Sequence, residues 1–169
     1  MAITAADIKF YLSGGGSNTD PNASIGGAIS STEVVDASLH NLFDVVSGAE
    51  SAAGDTEYRC IYIKNTHGSL TLQNAVLWLQ SNTPSTDSVI AIALGGEGDN
   101  GTAETPADEN TAPSGESFTS PSSKGSGLSL GNLAAGHYYP VWISRTISAS
   151  ATAYNTDNAV LKVEGETAA

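Results

Sequence analysis

Gly127-Leu128-Ser129-Leu130-Gly131 has the spacing G-x-S-x-G. In that pattern a serine sits on a sharp strand-to-helix turn, exposed beside a histidine base. Asn132, Leu133 and Gly136 leave no room for the helix, and His137 is the only histidine downstream. The match therefore reads as chance. Gly95-Gly96-Glu97-Gly98-Asp99-Asn100-Gly101 resembles one copy of a calcium-binding glycine-aspartate repeat. Such sites need stacked copies to supply enough oxygen ligands. Asp99, Asp108 and Glu109 are the candidate ligands for a hard cation, against the plainer reading of solvated acids. His40, His67 and His137 are scattered without metal-ligand spacing. Cys60, the single cysteine, lies among apolar residues and reads as a small buried hydrophobe. Trp78, Trp142, Tyr138 and Tyr139 have the types for a sugar platform, but they sit in apolar strands where packing is the default. Asn22 and Asn100 each start an N-x-[ST] triplet that reads as chance. No phosphate loop or dinucleotide fingerprint is present. The expectation is a non-enzyme with no cofactor.

The elements that must hold these residues show period two. Tyr58 to Lys64 places Cys60 and Tyr62 on one face and Ile61 and Ile63 on the other, which predicts a strand over 57–65. Strands are likewise predicted over 70–81, 88–94, 137–148 and 159–164, with one over 8–13 ended by Gly14-Gly15-Gly16. Pro140 cannot donate to a ladder, so its strand should be an edge, a bulge or a start at that point. Residues 25–35 are a further candidate strand, with Gly26 and Gly27 permitting a close backbone approach or a bulge. Leu39, Leu42, Phe43 and Val46 have helical spacing and predict a short helix. About seven short strands without helical crossovers predict an all-β fold, an antiparallel β-sandwich of the Ig-like or jelly-roll kind, in one domain over 1–169.

Residues 95–127 interrupt this pattern. Phe118 is their one large apolar side chain, and their charges are acidic except for Lys124. Having little to bury, they predict an extended, mobile loop, or one ordered by a partner. The chain has 169 residues and a formal charge of −12. Six lysines and arginines are too few to line a nucleic-acid groove or to grip an anionic bilayer. No apolar run is long enough for a transmembrane helix. The start, Met1 to Asp7, has neither a basic nor an apolar stretch and reads as no secretory signal. Residues 1–8 are small and weakly charged, and read as a possible arm that orders on a neighbour.

With these segments laid out, the chain resembles the capsid decoration (cement or minor capsid) proteins of tailed bacteriophages. The likeness is carried by Tyr11 to Asn18, Ser24 to Gly27, Tyr58 through Leu79, and Gly136 to Arg145. The resemblance implies a β-rich structural protein on the outer surface of the head, oligomeric and often trimeric, with the major capsid protein as partner. It carries over no catalytic residue. Ile3, Ile8, Tyr138, Tyr139 and Trp142 are the interface candidates. Two other readings stand beside it. One is another virion component, such as a tail, neck or receptor-binding module. The other is a carbohydrate-binding or adhesin module.

Overall fold

Alternation along β2 (Asp55–Asn65) sets the architecture, because this strand is apolar on both faces. In the computed structural model, which describes residues 2–167, it lies inside a four-stranded antiparallel sheet. The strand order is β1 (Ile8–Leu12), β2, β6 (Tyr138–Ile147), β4 (Ser88–Leu94). A second antiparallel sheet has the order β5 (Leu128–Leu133), β3 (Leu72–Ser81), β7 (Val160–Thr167). The fold is thus all-β, with two sheets sharing one core. Ile61 and Ile63 of β2, Val141 and Ile143 of β6, and Ile92 of β4 meet Leu77, Leu79 and Leu133 of the other sheet in that core. The strands expected over 8–13, 57–65, 70–81, 88–94, 137–148 and 159–164 hold within a few residues, and β5 is an addition to them. Helix is confined to α1 (Gly48–Ala53) and three short 3-10 turns among the described residues.

The opposite face of the first sheet carries a second apolar layer. Cys60, Tyr62, Ala93 and Trp142 are buried there, with Tyr11, Tyr58 and Tyr138 packed around them. A sheet face of this kind needs a cover, and two irregular segments supply it. Ala103 and Phe118 come from residues 95–127, and Ile29 comes from the stretch after β1. The Tyr62 hydroxyl ties both together: it donates to Gly27 O at 2.6 Å and accepts from Ala103 N at 2.9 Å. Gly27 N in turn donates to Ala103 O at 3.0 Å. The approach at this seam requires glycine, since a Cβ on Gly26 would sit 1.8 Å from Glu104 O.

Several local expectations change. Residues 25–35 form no continuous strand. Instead, 30–34 runs beside the edge of β1, where Leu12 N donates to Thr32 O and Val34 N to Phe10 O, both at 2.9 Å. The helix expected over 39–46 is absent. Helix α1 starts later, at the capping box formed by Ser47 and Glu50. The strand holding Pro140 is central, not an edge. Proline is tolerated there because β4 ends at Leu94, and Gly95 turns away after donating to Pro140 O at 2.9 Å. The Gly95 carbonyl then accepts from Gly98 N at 3.1 Å and has no need of a donor at position 140.

Residues 95–127 also differ from a free excursion. Tyr58 N donates to Glu109 O at 2.7 Å, Leu79 N to Pro121 O at 2.9 Å, and Ile92 exchanges both backbone bonds with Thr119. Ordering comes from backbone bonds and small buried side chains, which a count of large apolar residues does not register. The possible arm at 1–8 begins at Met1, outside the described residues. From Ile3 onward it is held in cis. Ile3 packs on the main core and its N–H donates to Thr167 Oγ1 at 3.2 Å, while Thr66 N donates to Asp7 O at 2.7 Å.

The Tyr62 hydroxyl is therefore the joint between the sheet and its cover. Tyr62→Phe should cost about 1–3 kcal/mol in urea unfolding, because it also leaves the Ala103 N–H without its acceptor. A loss below about 0.5 kcal/mol would show that the joint is dispensable.

Candidate functional site

Charge sits where β2 and β6 should be apolar. Glu57 and Arg59 share the face of Ile61 and Ile63, and Arg145 shares that of Val141 and Ile143. Glu57 is directly opposite Arg145 in the register. Arg59 is fully buried and Glu57 nearly so. Burying such groups is costly unless each is paired, and the chain pairs them by drawing in two distant segments. Arg145 Nε donates to Glu57 Oε2 at 2.8 Å, and its Nη2 bonds the same oxygen. Arg145 Nη1 donates to Asp44 O at 2.7 Å. Arg59 Nη2 lies 2.5 Å from Glu109 Oε2, as an ion pair rather than an aligned hydrogen bond, and 4.0 Å from Glu57 Oε1. Both guanidiniums lie over the Phe43 ring, with Cζ to centroid distances of 5.4 Å for Arg59 and 4.9 Å for Arg145.

Two arginines thus meet three carboxylates. Glu109 pairs with Arg59 and Glu57 with Arg145, while the half-exposed Asp44 carboxylate lies 3.5 Å from the Arg145 guanidinium, so the cluster holds one acid more than it has bases and Glu57 is its most buried acid. Burial pushes its carboxyl above the ordinary glutamate range, and Arg145 and Arg59 only partly oppose this. Glu50, Asp55 and Glu57 place oxygens within 4.8 Å of one another. Each already has a donor, namely Ser47 N, Asn110 Nδ2 and Arg145. The arrangement is a structural clamp joining residues 43–44 and 109 to the sheet.

No family model, curated protein or solved structure matches the chain.

The metal candidates from the sequence are not brought together. Asp99 Oδ2 lies 2.7 Å from His137 Nδ1. Asp108 accepts from Asn110 N and Thr111 Oγ1 within its own turn. Glu109 is taken by Arg59. The glycine-rich stretch closes on itself, with Glu97 accepting from Glu104 N at 2.8 Å. Ser129 lies inside strand β5, where its oxygen accepts from Gly131 N, rather than on a strand-to-helix turn. Cys60 is buried, and burial pushes its thiol up, away from nucleophilic use.

Of the interface candidates, Trp142 must be corrected. Its ring is fully buried beneath the cover of the first sheet and presents nothing to a partner. Trp78 is also buried, with the Lys162 ammonium 5.5 Å from its ring centroid, so the two tryptophans form no sugar platform. Ile3, Ile8 and Tyr139 pack on the main core while partly exposed. Burial raises the Tyr139 hydroxyl, with Glu116 and Asp99 adding to the effect. Tyr138 packs edge-on against Tyr62, with centroids 5.4 Å apart. The clamp itself went unread in the sequence. Its signal was there: Glu57 and Arg59 break the apolar face of an otherwise alternating strand.

The clamp makes a paired prediction. Arg145→Met should cost about 3 kcal/mol at neutral pH, by leaving Glu57 charged and buried with Arg59 too distant to replace the lost bonds. That cost should shrink in acid as Glu57 takes up a proton. Glu57→Gln should instead be tolerated near neutrality. Because the folded state holds the Glu57 proton more tightly, its contribution is present below the ordinary glutamate range and is lost as pH rises through the raised value. Wild type should therefore lose stability relative to Glu57→Gln with rising pH. Urea unfolding across pH checks both signs, and the opposite slope would refute the surplus-charge account.

Proposed function

We propose that the protein is a structural virion protein that decorates and stabilises the outer surface of a tailed-phage capsid by bridging capsomers. Its partner is the major capsid protein, and it works as a homo-oligomer, with a trimer favoured. The scaffold is a sandwich of the Ig-like or jelly-roll kind. The observation that carries this reading is the covered sheet. The irregular segments are tied down by Tyr62, Arg59 and backbone bonds, not left as free loops around a pocket. A protein exposed on a particle has to resist proteolysis and offer surface rather than a cavity. A formal charge of −12 favours the outer face of the shell over the side lined with packaged DNA. The sequence resemblance to decoration proteins points the same way. Both tryptophans of the carbohydrate-binding alternative are buried, which leaves it Tyr138 and Tyr139 alone.

Heads of the parent phage assembled without this protein provide the test. Purified protein should bind them to a fixed stoichiometry and raise the temperature at which they open. Failure to bind heads would overturn the proposal, and binding confined to tails would replace it with the tail-module reading.

A further inference from the structure

Three of the six exposed large apolar side chains among the described residues fall in one short stretch of sequence. Val35, Leu39 and Val45 are 65%, 81% and 68% exposed. All three lie between the stretch beside β1 and the start of α1. Ala37 and His40, on either side of this exposed leucine, both have φ of 54°. Left-handed backbone is unfavourable for a residue with a Cβ, and such strain persists only where the surroundings impose it. Leu42 and Phe43, immediately after, are anchored. Leu42 is in the core and Phe43 lies under the two guanidiniums. Beside the exposed residues is a hollow of about 170 Å³ lined by Leu12, Pro21, Val35, Leu39 and Asn41, among others. The loop is therefore held at its base while its apolar side chains face solvent.

The stretch that carries this patch is acidic. Residues 10–58 contain seven carboxylates and no lysine or arginine. Lys9 reaches Glu33 at 2.7 Å and Arg145 answers Asp44, but Asp20 and Asp36 meet no cation among the described residues. A second copy of the chain would bring these acids against their own kind, and an anionic bilayer would be repelled in the same way. Charge complementarity selects a cationic rim. We propose that Val35, Leu39 and Val45 form a docking surface for another protein, one that presents apolar side chains flanked by lysine or arginine. This goes beyond the capsid reading and stands or falls separately from it.

Titration of the labelled protein with a short synthetic peptide of leucines flanked by arginines, followed by amide chemical shifts, is the test. The shifts should map to residues 33–46. The triple variant Val35→Ser, Leu39→Ser, Val45→Ser should weaken binding at least tenfold with an unchanged unfolding midpoint, because it alters only exposed side chains. Asp20→Asn with Asp36→Asn should weaken it separately. Shifts centred elsewhere, equal binding by a peptide of arginine alone, or undiminished binding by the triple variant would each overturn the proposal. Concentration-dependent self-association that the triple variant abolishes would overturn it too, in favour of a second copy as occupant.

Discussion

A fully buried arginine in the middle of a strand must be answered wherever the chain can reach it. Arg59 occupies the core-facing side of β2, and the nearest countercharge on its own strand, Glu57, is committed to Arg145. The remaining answer comes from Glu109, fifty residues away in sequence. The same requirement at Arg145 brings in the backbone and side chain of Asp44. Two irregular segments are thereby fixed to the sheet, and the Phe43 ring of one of them lies against both guanidiniums. Buried ion pairs are weak sources of net stability but expensive to break. Their effect here is on where the segments lie rather than on how much stability they add.

The first sheet poses a second, apolar constraint that the same segments meet. One face packs on β3, β5 and β7, and the other carries Cys60, Tyr62 and Trp142. A sandwich with only two layers would leave that second face wet. Residues 95–127 and the stretch after β1 act as a third, irregular layer, joined at the Gly26–Gly27 and 103–104 seam and pinned through the Tyr62 hydroxyl. The backbone edge of β2 beyond β1 is closed in the same way, with Cys60 N donating to Ser24 O and Tyr58 N to Glu109 O, both at 2.7 Å. Sheet, cover and clamp form one mechanical unit, and the strained loop at 37–40 leaves Leu39 exposed beside it.

The strands were legible because period-two alternation of β-branched and aromatic residues is a local signal, and β4 was read to the residue. Apolar residues on both faces of β2 require a covered sheet. What covers it was not legible. The 95–127 segment is ordered by backbone donors and by small side chains such as Ala103, and neither registers in hydropathy. Spacing at Leu39, Leu42, Phe43 and Val46 imitated a helix, but Leu42 packs in the core, Phe43 lies under the arginines and Leu39 faces solvent. The true helix start lay in the Ser47 to Glu50 capping box, a pattern that was present and passed over. Pro140 pointed to an edge, a bulge or a start because the rule considers one strand, whereas here the adjoining strand ends at just that level. Among candidate site residues, Cys60 and Trp78 are packed as their apolar strands indicate, whereas Trp142, an interface candidate, is fully buried.

Native-state amide hydrogen exchange bears most directly on the claim that the cover and the sheet are one unit. The amides of Gly27 and Thr119, which bond across the seam and to β4, report on the cover, and those paired between β2 and β6 report on the sheet. The account predicts that both groups exchange only through global opening, at the same free energy, as members of one cooperative unit. Rapid exchange at Gly27 and Thr119 while the β2–β6 amides remain protected would contradict it.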